Sequence, residues 1–170
     1  MKLRKIFIGL IASIAVLSVV FGIFGNRYLA PRPGENVETA GDSGLPPGLT
    51  VPDVNSVVPE NVAKPVVVMP AAPDSKIKLR IFNIEARDNK FFPDTVIVNQ
   101  WDVVRLSLTA TDKTYDFYWP DYGVKQTVKK GERKQVGFQA TRSGKFAFYC
   151  ERCGGPAKGP VGSLMIVASE

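Results

Sequence analysis

The C-terminal half of the chain has the hydrophobic pattern of a β protein. Apolar and polar residues alternate over residues 103–109, the period of two that is typical of a strand with one buried face. Short segments rich in β-branched and aromatic residues predict further strands at 77–84, 95–98, 115–119, 135–140, 145–150 and 163–168. Turn-forming pairs such as Asp88-Asn89 and Lys130-Gly131 separate them. Several short strands at this spacing, with no sustained helical period after Phe24, predict an all-β sandwich or barrel.

The N-terminal end has a different pattern. Residues 6–24 are apolar or small and carry no charge, and about 20 such residues span a bilayer core as a helix. Lys2, Arg4 and Lys5 precede them, so the positive-inside rule keeps residues 1–5 in the cytoplasm. The following residues offer no small-residue cleavage site. The sequence therefore predicts an uncleaved single-pass anchor at residues 6–25, with the rest of the chain outside the cytoplasm.

The composition of residues 26–75 predicts a proline-rich linker. Nine of the 13 prolines lie between residues 31 and 75. Proline lacks an amide donor, so we expect neither a helix nor a sheet through this segment. The apolar stretch 66–69 is the exception, because it could lie against the domain as an edge segment. The folded domain is predicted to occupy residues 76–170.

Composition restricts the chemistry more than it identifies it. The chain has no histidine, which excludes imidazole-based zinc and copper sites and hydrolases that use a histidine base. Its net charge is +6, and all of the excess lies from residue 76 onward, which holds 16 Lys and Arg against 10 Asp and Glu. Part of the excess is a basic run, which is either a solvated hairpin or a face for an acidic partner or anionic lipid. Its members are Lys125, Lys129, Lys130, Arg133 and Lys134. No motif for binding nucleic acid is present.

Residues 115–167 are more specific than the rest. They contain Y-D-F-Y-W-P-D-Y-G-V-K, then K-G-E-R-K, then F-A-F-Y-C-E-R-C-G-G-P-A-K-G-P-V-G-S-L-M. This segment resembles the copper-A (binuclear copper) domain of cytochrome c oxidase subunit II. The matching positions are Phe117, Pro120, Val124, Lys125, Gly131, Gly144, Phe148, Cys150, Cys153, Gly154, Gly162 and Leu164. The resemblance covers about residues 77–168 and implies a cupredoxin-like Greek-key β-sandwich.

The resemblance also assigns five side-chain ligand positions for copper. The family's two histidines and its methionine fall on Tyr115, Ala157 and Pro160, and its two cysteines on Cys150 and Cys153. One residue is missing between the cysteines, which changes the angle at which two thiolates could bridge two metals. Alanine and proline side chains donate nothing, and a phenol is a hard donor that matches Cu(I) poorly. A normal binuclear copper centre is therefore not expected.

Three interpretations of Cys150 and Cys153 are open. An oxidising compartment favours a structural disulfide. A Cys-x-x-Cys pair can be redox-active, although no helix is expected after it to lower a thiol pKa. Two soft sulfurs also suit Cu(I), as in a copper carrier.

Five aromatic residues are expected near the copper ligand positions that the resemblance assigns, where they fill the volume left by the ligands and the metal. They are Phe117, Tyr118, Trp119, Tyr122 and Trp101. Trp101 also stands where the family usually has a glycine before Asp102.

The sequence favours an accessory or structural module of a respiratory or copper-handling membrane assembly, with no bound cofactor and no activity of its own. The alternatives are an electron-transfer oxidase subunit with an atypical copper centre, and a Cu(I) carrier or thiol redox protein.

Overall fold

The computed structural model describes residues 44–169. The predicted anchor at 6–25, the basic end at 1–5 and the first part of the linker lie outside the described residues. Within residues 44–169, no helix is long and apolar enough to cross a membrane.

The described residues form two β-sheets that pack face to face. The first sheet has the order β1-β2-β5-β8, with β3 paired to β2, and β2 and β5 run parallel. Its strands are β1 (Val67–Pro70), β2 (Lys78–Arg87), β3 (Lys90–Phe92), β5 (Val103–Ala110) and β8 (Arg133–Gln139).

The second sheet has the order β4-β10-β9-β6-β7, and β4 and β10 run parallel. Its strands are β4 (Thr95–Asn99), β6 (Tyr115–Trp119), β7 (Val124–Val128), β9 (Gly144–Tyr149) and β10 (Val161–Val167). A 3-10 turn, Pro120–Tyr122, links β6 to β7. The seven predicted strands are confirmed, whereas β1, β3 and β7 were not predicted.

One apolar core fills the space between the sheets. Phe82 and Leu106 of the first sheet and Leu164 and Phe148 of the second are inaccessible to solvent. Alternation along β5 and β10 produces this arrangement, since every second side chain points to the same face of a strand. The predicted all-β class is therefore confirmed, and the core forms a rigid support for the loops at either end.

The proline-rich segment packs against this domain from residue 52 onward. β1 pairs antiparallel with β2, so the exception made for the apolar stretch 66–69 is confirmed, and the edge strand Val67–Pro70 lies in a segment where no sheet was otherwise expected. The amide of Ala63 donates to the carbonyl of Thr95 at 2.7 Å, and Ala63 is buried. Proline is compatible with this pairing because β1 is an edge strand, where one side needs no donors.

Trp101 lies at the opposite end of the sandwich from the cysteines, which corrects its expected position. β10 begins beside Tyr149, next to Cys150, and ends beside Asn99, next to Trp101. The two ends are therefore about 20 Å apart, one strand length of seven residues. Trp101 is 46% exposed and has φ +74°, the left-handed region in which glycine is favoured. The position that the sequence resemblance aligns with a glycine thus has a backbone conformation that glycine favours, although tryptophan occupies it.

Candidate functional site

The two cysteines lie on the loop of residues 150–160, which joins β9 to β10 and is called the cysteine loop below. The amide of Cys150 donates to the carbonyl of Pro160 at 3.1 Å, which closes the base of the loop. Cys150 and Cys153 form a disulfide with a Cα–Cα distance of 5.3 Å. They are the only cysteines of the chain, so a thiol or Cu(I) role requires that this bond first be reduced.

A helical turn follows the disulfide, where the sequence predicted none. It is α1 (Gly155–Lys158), and its four residues make it too short for a significant helix dipole at the cysteines. Ala157 lies on this turn with its side chain exposed. Pro160 is buried beneath Cys150 and offers only its backbone carbonyl, which already accepts the Cys150 amide.

Asp116 fastens the cysteine loop to β6, a role that sequence reasoning missed. It is 4% exposed, accepts a hydrogen bond from the Thr127 hydroxyl at 2.9 Å, and forms an ion pair with Arg152 Nε at 3.1 Å. Its backbone amide donates to Cys150 Sγ at 3.3 Å. The available signal was a carboxylate inside the aromatic run 115–119, because a charge buried there needs a partner.

Glu151, the other residue between the two cysteines, also contacts the β6–β7 hairpin. Glu151 forms an exposed ion pair with Lys125, and its hydrogen bond raises the pKa of the Lys125 ammonium above the ordinary value. Lys125 belongs to the basic run, which the structure places along β7 and β8. Within the described residues, Lys129 and Lys130 make no ion pair, and the proposed acidic or lipid partner stays a prediction.

Tyr115, which the sequence resemblance aligns with a copper ligand, is fully engaged in a polar network. Its ring is 1% exposed, and its hydroxyl donates to Asp112 Oδ2 at 3.1 Å and accepts the amide of Asn89 at 3.1 Å. The Asn89 side chain donates to the Lys158 carbonyl at 2.9 Å and accepts from Lys113 Nζ at 3.1 Å. The phenol therefore links the start of β6 to the end of α1 through Asn89.

This network shifts two pKa values in opposite directions. Burial raises the pKa of the Tyr115 phenol above its ordinary 10.0, and the nearby Asp112 carboxylate raises it further. Desolvation raises the pKa of Asp112, but the hydrogen bonds from Tyr115 and from the amides of Asp88 and Lys113 together lower it below 3.8. At neutral pH the network thus holds a neutral phenol donating to an ionised carboxylate.

We expect Tyr115 to ionise late in an alkaline titration followed by tyrosinate absorbance. A raised folded pKa means that the phenol's contribution to stability is present below about pH 10 and is lost as pH rises through the folded pKa. Tyr115→Phe should remove one phenol from the late part of the titration, and Asp112→Asn should move that phenol to lower pH. An unchanged late amplitude in Tyr115→Phe would contradict this assignment.

The five positions that the sequence resemblance aligns with copper ligands do not fit a copper ion. Tyr115 has committed its hydroxyl, the two sulfurs are bonded to each other, and Ala157 and Pro160 carry no side-chain donor. Residues 44–169 contain no group of three or more His, Cys, Asp or Glu placed to hold a metal. Copper prefers thiolate, imidazole and thioether donors, and none of these is available at the five positions.

Comparison with known proteins identifies the family. The profile of the cupredoxin-like domain matches residues 62–161, more than half of the chain. The chain therefore belongs to the cupredoxin-like domain family. A search of curated proteins gave no match.

Several solved structures resemble the domain in outline. The metal binding domain of the Cu(I)-exporting P-type ATPase CopA from Streptococcus pneumoniae D39 is 15% identical, with a TM-score of 0.46 over 52% of this chain and 86% of that chain. The periplasmic domain of cytochrome oxidase subunit II (CoxB) from Bradyrhizobium japonicum is 24% identical, with a TM-score of 0.40 over 48% of this chain and 60% of that chain. A multicopper oxidase is 15% identical, with a TM-score of 0.49 over 64% of this chain and 48% of that chain.

Proposed function

We propose that this protein is a membrane-anchored, extracytoplasmic relative of the copper-A domain in which a disulfide and a tyrosine network have replaced the metal centre. It serves as a structural or accessory module of a respiratory or copper-handling membrane assembly and transfers no electrons through copper. The observation that carries the proposal is the state of the five former ligand positions: two sulfurs bonded together, one phenol bonded to Asp112 and Asn89, and two side chains without donors.

The contacts of the cysteine loop support a structural role. Arg152, whose side chain is about half exposed, forms an ion pair with the buried Asp116. The Asn89 side chain donates a hydrogen bond to the Lys158 carbonyl at the end of α1. In a metal site these connections would be made by the ion, whose binding energy is also folding energy. Here side chains and a covalent bond provide them, so the loop keeps its position without a metal.

The location outside the cytoplasm rests on two independent features. The apolar segment 6–25 and the lysines and arginine before it predict the orientation of the anchor. A disulfide persists in oxidising compartments and is rare in the cytosol. Together they favour a single-pass protein of the cell membrane with residues 76–170 outside the cytoplasm.

A copper titration of the full chain in detergent tests the proposal. The chain should be recovered from the membrane fraction, bind well under one copper per chain, and show no intense visible absorption after addition of Cu(II) or Cu(I). The Cys150→Ser/Cys153→Ser double variant is the matched control, because it removes both cysteine sulfurs and keeps the two ion pairs of the cysteine loop. The two should behave alike.

Two results would contradict the proposal. Two bound coppers or a strong thiolate–copper absorption band in the parent, absent from the double variant, would support the electron-transfer alternative instead. Recovery of the full chain in the soluble fraction without detergent would contradict the membrane anchor.

A further inference from the structure

The two sulfurs of the disulfide differ in their exposure to solvent. Cys150 is 0% exposed and lies in the apolar core, whereas Cys153 is partly exposed at its edge. Thiol–disulfide exchange begins when a thiolate reaches one sulfur along the S–S axis, so access decides which sulfur is attacked. Because Cys150 is fully buried, Cys153 is the cysteine of the pair that a thiolate can approach from solvent.

Burial in the apolar core disfavours a thiolate at Cys150, but a hydrogen bond to its sulfur opposes this effect. The Asp116 amide donates to its Sγ at 3.3 Å, and such a hydrogen bond stabilises a thiolate as charge develops. The adjacent Asp116 carboxylate would oppose that charge, but Arg152 Nε at 3.1 Å and the Thr127 hydroxyl offset it. A better-stabilised leaving thiolate departs faster.

The loop is held in place by contacts that do not depend on the disulfide. Glu151 pairs with Lys125, and Arg152 pairs with Asp116. Gly159 packs so closely that a Cβ there would lie 2.8 Å from the Cys150 carbonyl oxygen and 3.0 Å from Cys153 Cβ. The two sulfurs therefore stay near each other after the S–S bond opens, which favours attack of one on the other when that other is held in a mixed disulfide.

We propose that Cys150–Cys153 is a thiol–disulfide exchange site whose substrate is a dithiol reductant, with Cys153 as the sulfur attacked and Cys150 as the leaving group. The reductant's thiolate bonds to Cys153 Sγ, the S–S bond breaks, and its electron pair leaves on Cys150, which takes up a proton. The reductant's second thiolate then attacks the reductant's first sulfur in the mixed disulfide. This attack releases Cys153 as a thiolate, which is also protonated. The dithiol ends as a disulfide, and the chain gains two electrons and two protons.

Single-cysteine variants of the full chain in detergent test the assignment. With 5,5′-dithiobis(2-nitrobenzoate) as the probe, Cys150→Ser, which leaves Cys153, should react at least about tenfold faster than Cys153→Ser, which leaves Cys150, because a buried thiol is inert. In guanidinium the two variants should react at similar rates. Equal rates in the folded state, or a faster Cys150, would overturn the proposal.

The parent chain provides a second measurement that needs no substitution. Dithiothreitol should reduce the disulfide while far-ultraviolet circular dichroism stays native, and a limiting amount of iodoacetamide should then label Cys153 in preference to Cys150. A disulfide that is reduced only in denaturant would overturn the proposal. Neither measurement uses copper, so the absence of a copper site and the exchange reaction can fail separately.

Discussion

Replacing Asp102 with alanine should lower the free energy of unfolding by about 3–5 kcal/mol, because the change leaves a buried guanidinium without its partner. Asp102 and Arg80 are 3% and 5% exposed, and their Oδ2 and Nε atoms lie 2.6 Å apart. The carboxylate also accepts the amides of Lys78 and Asn99, both at 3.1 Å. The buried Arg80 Nε and the two partly buried amides would all lose their acceptor.

This ion pair also connects parts of the chain that are distant in sequence. Arg80 on β2 donates to the carbonyl of Pro52 at 2.7 Å, so the substitution should loosen the packing of the proline-rich segment as well. Urea denaturation of the full chain in detergent measures the effect.

Lys134→Ala is the matched control for Asp102→Ala. Lys134 pairs with Glu132 at 3.9 Å, and both side chains are largely exposed, so its loss should cost less than about 1 kcal/mol. If Asp102→Ala were as stable as Lys134→Ala, the buried pair would contribute nothing beyond an exposed one, and the expectation would be wrong.

Replacing Gly162 with alanine should cost about 3 kcal/mol, because the added methyl group has no room. Gly162 lies opposite Phe148 in the β9–β10 ladder, and a Cβ there would lie 2.1 Å from Phe148 Cζ and 2.7 Å from the backbone oxygen of Asp94. Phe148 cannot move aside, since its ring packs between Phe91 and Phe117 with centroids 5.4 and 4.6 Å away.

Gly137→Ala is the control for this substitution. A Cβ at Gly137 would make an ordinary contact of 3.7 Å with the Val104 oxygen, and the residue also lies in a strand. The free energy of unfolding of Gly137→Ala should stay within about 1 kcal/mol of the parent's, because alanine at an unstrained strand position costs little. If Gly162→Ala and Gly137→Ala lowered the midpoint of thermal unfolding equally, the crowding at Gly162 would be relieved without a loss of stability, and the expectation would be wrong.

Seven strands, including the edge strands β4 and β8, could be predicted from sequence, whereas β3 and β7 could not, and β1 only as an apolar edge segment. β5 and β10 bury every second residue, so the pattern appears in the chain itself. β1, β3 and β7 lie at edges or pair on one side, and β7 has only Val128 fully buried. Their existence depends on a neighbour that supplies hydrogen bonds and register, which a single segment does not reveal.

The placement of Trp101 was wrong for a related reason. Its aromatic side chain alone does not show at which end of the sandwich Trp101 lies. The end of a sandwich on which a loop lies depends on strand direction and order, and β10 carries the chain from Cys153 to the end where Trp101 sits. Proximity to a motif along the chain does not determine proximity in a sheet.

The sequence by itself determined which electron-pair donors exist in this domain. The absence of histidine and the side chains of Ala157 and Pro160 exclude a normal copper-A site whatever the fold. Only the tertiary structure decided what the surviving groups do: that the two sulfurs bond to each other, that Tyr115 binds Asp112 and Asn89, and that one sulfur is buried and the other partly exposed. The reason is physical, since the identity of an atom is local information, whereas its burial and partners come from residues that folding brings together from distant parts of the chain.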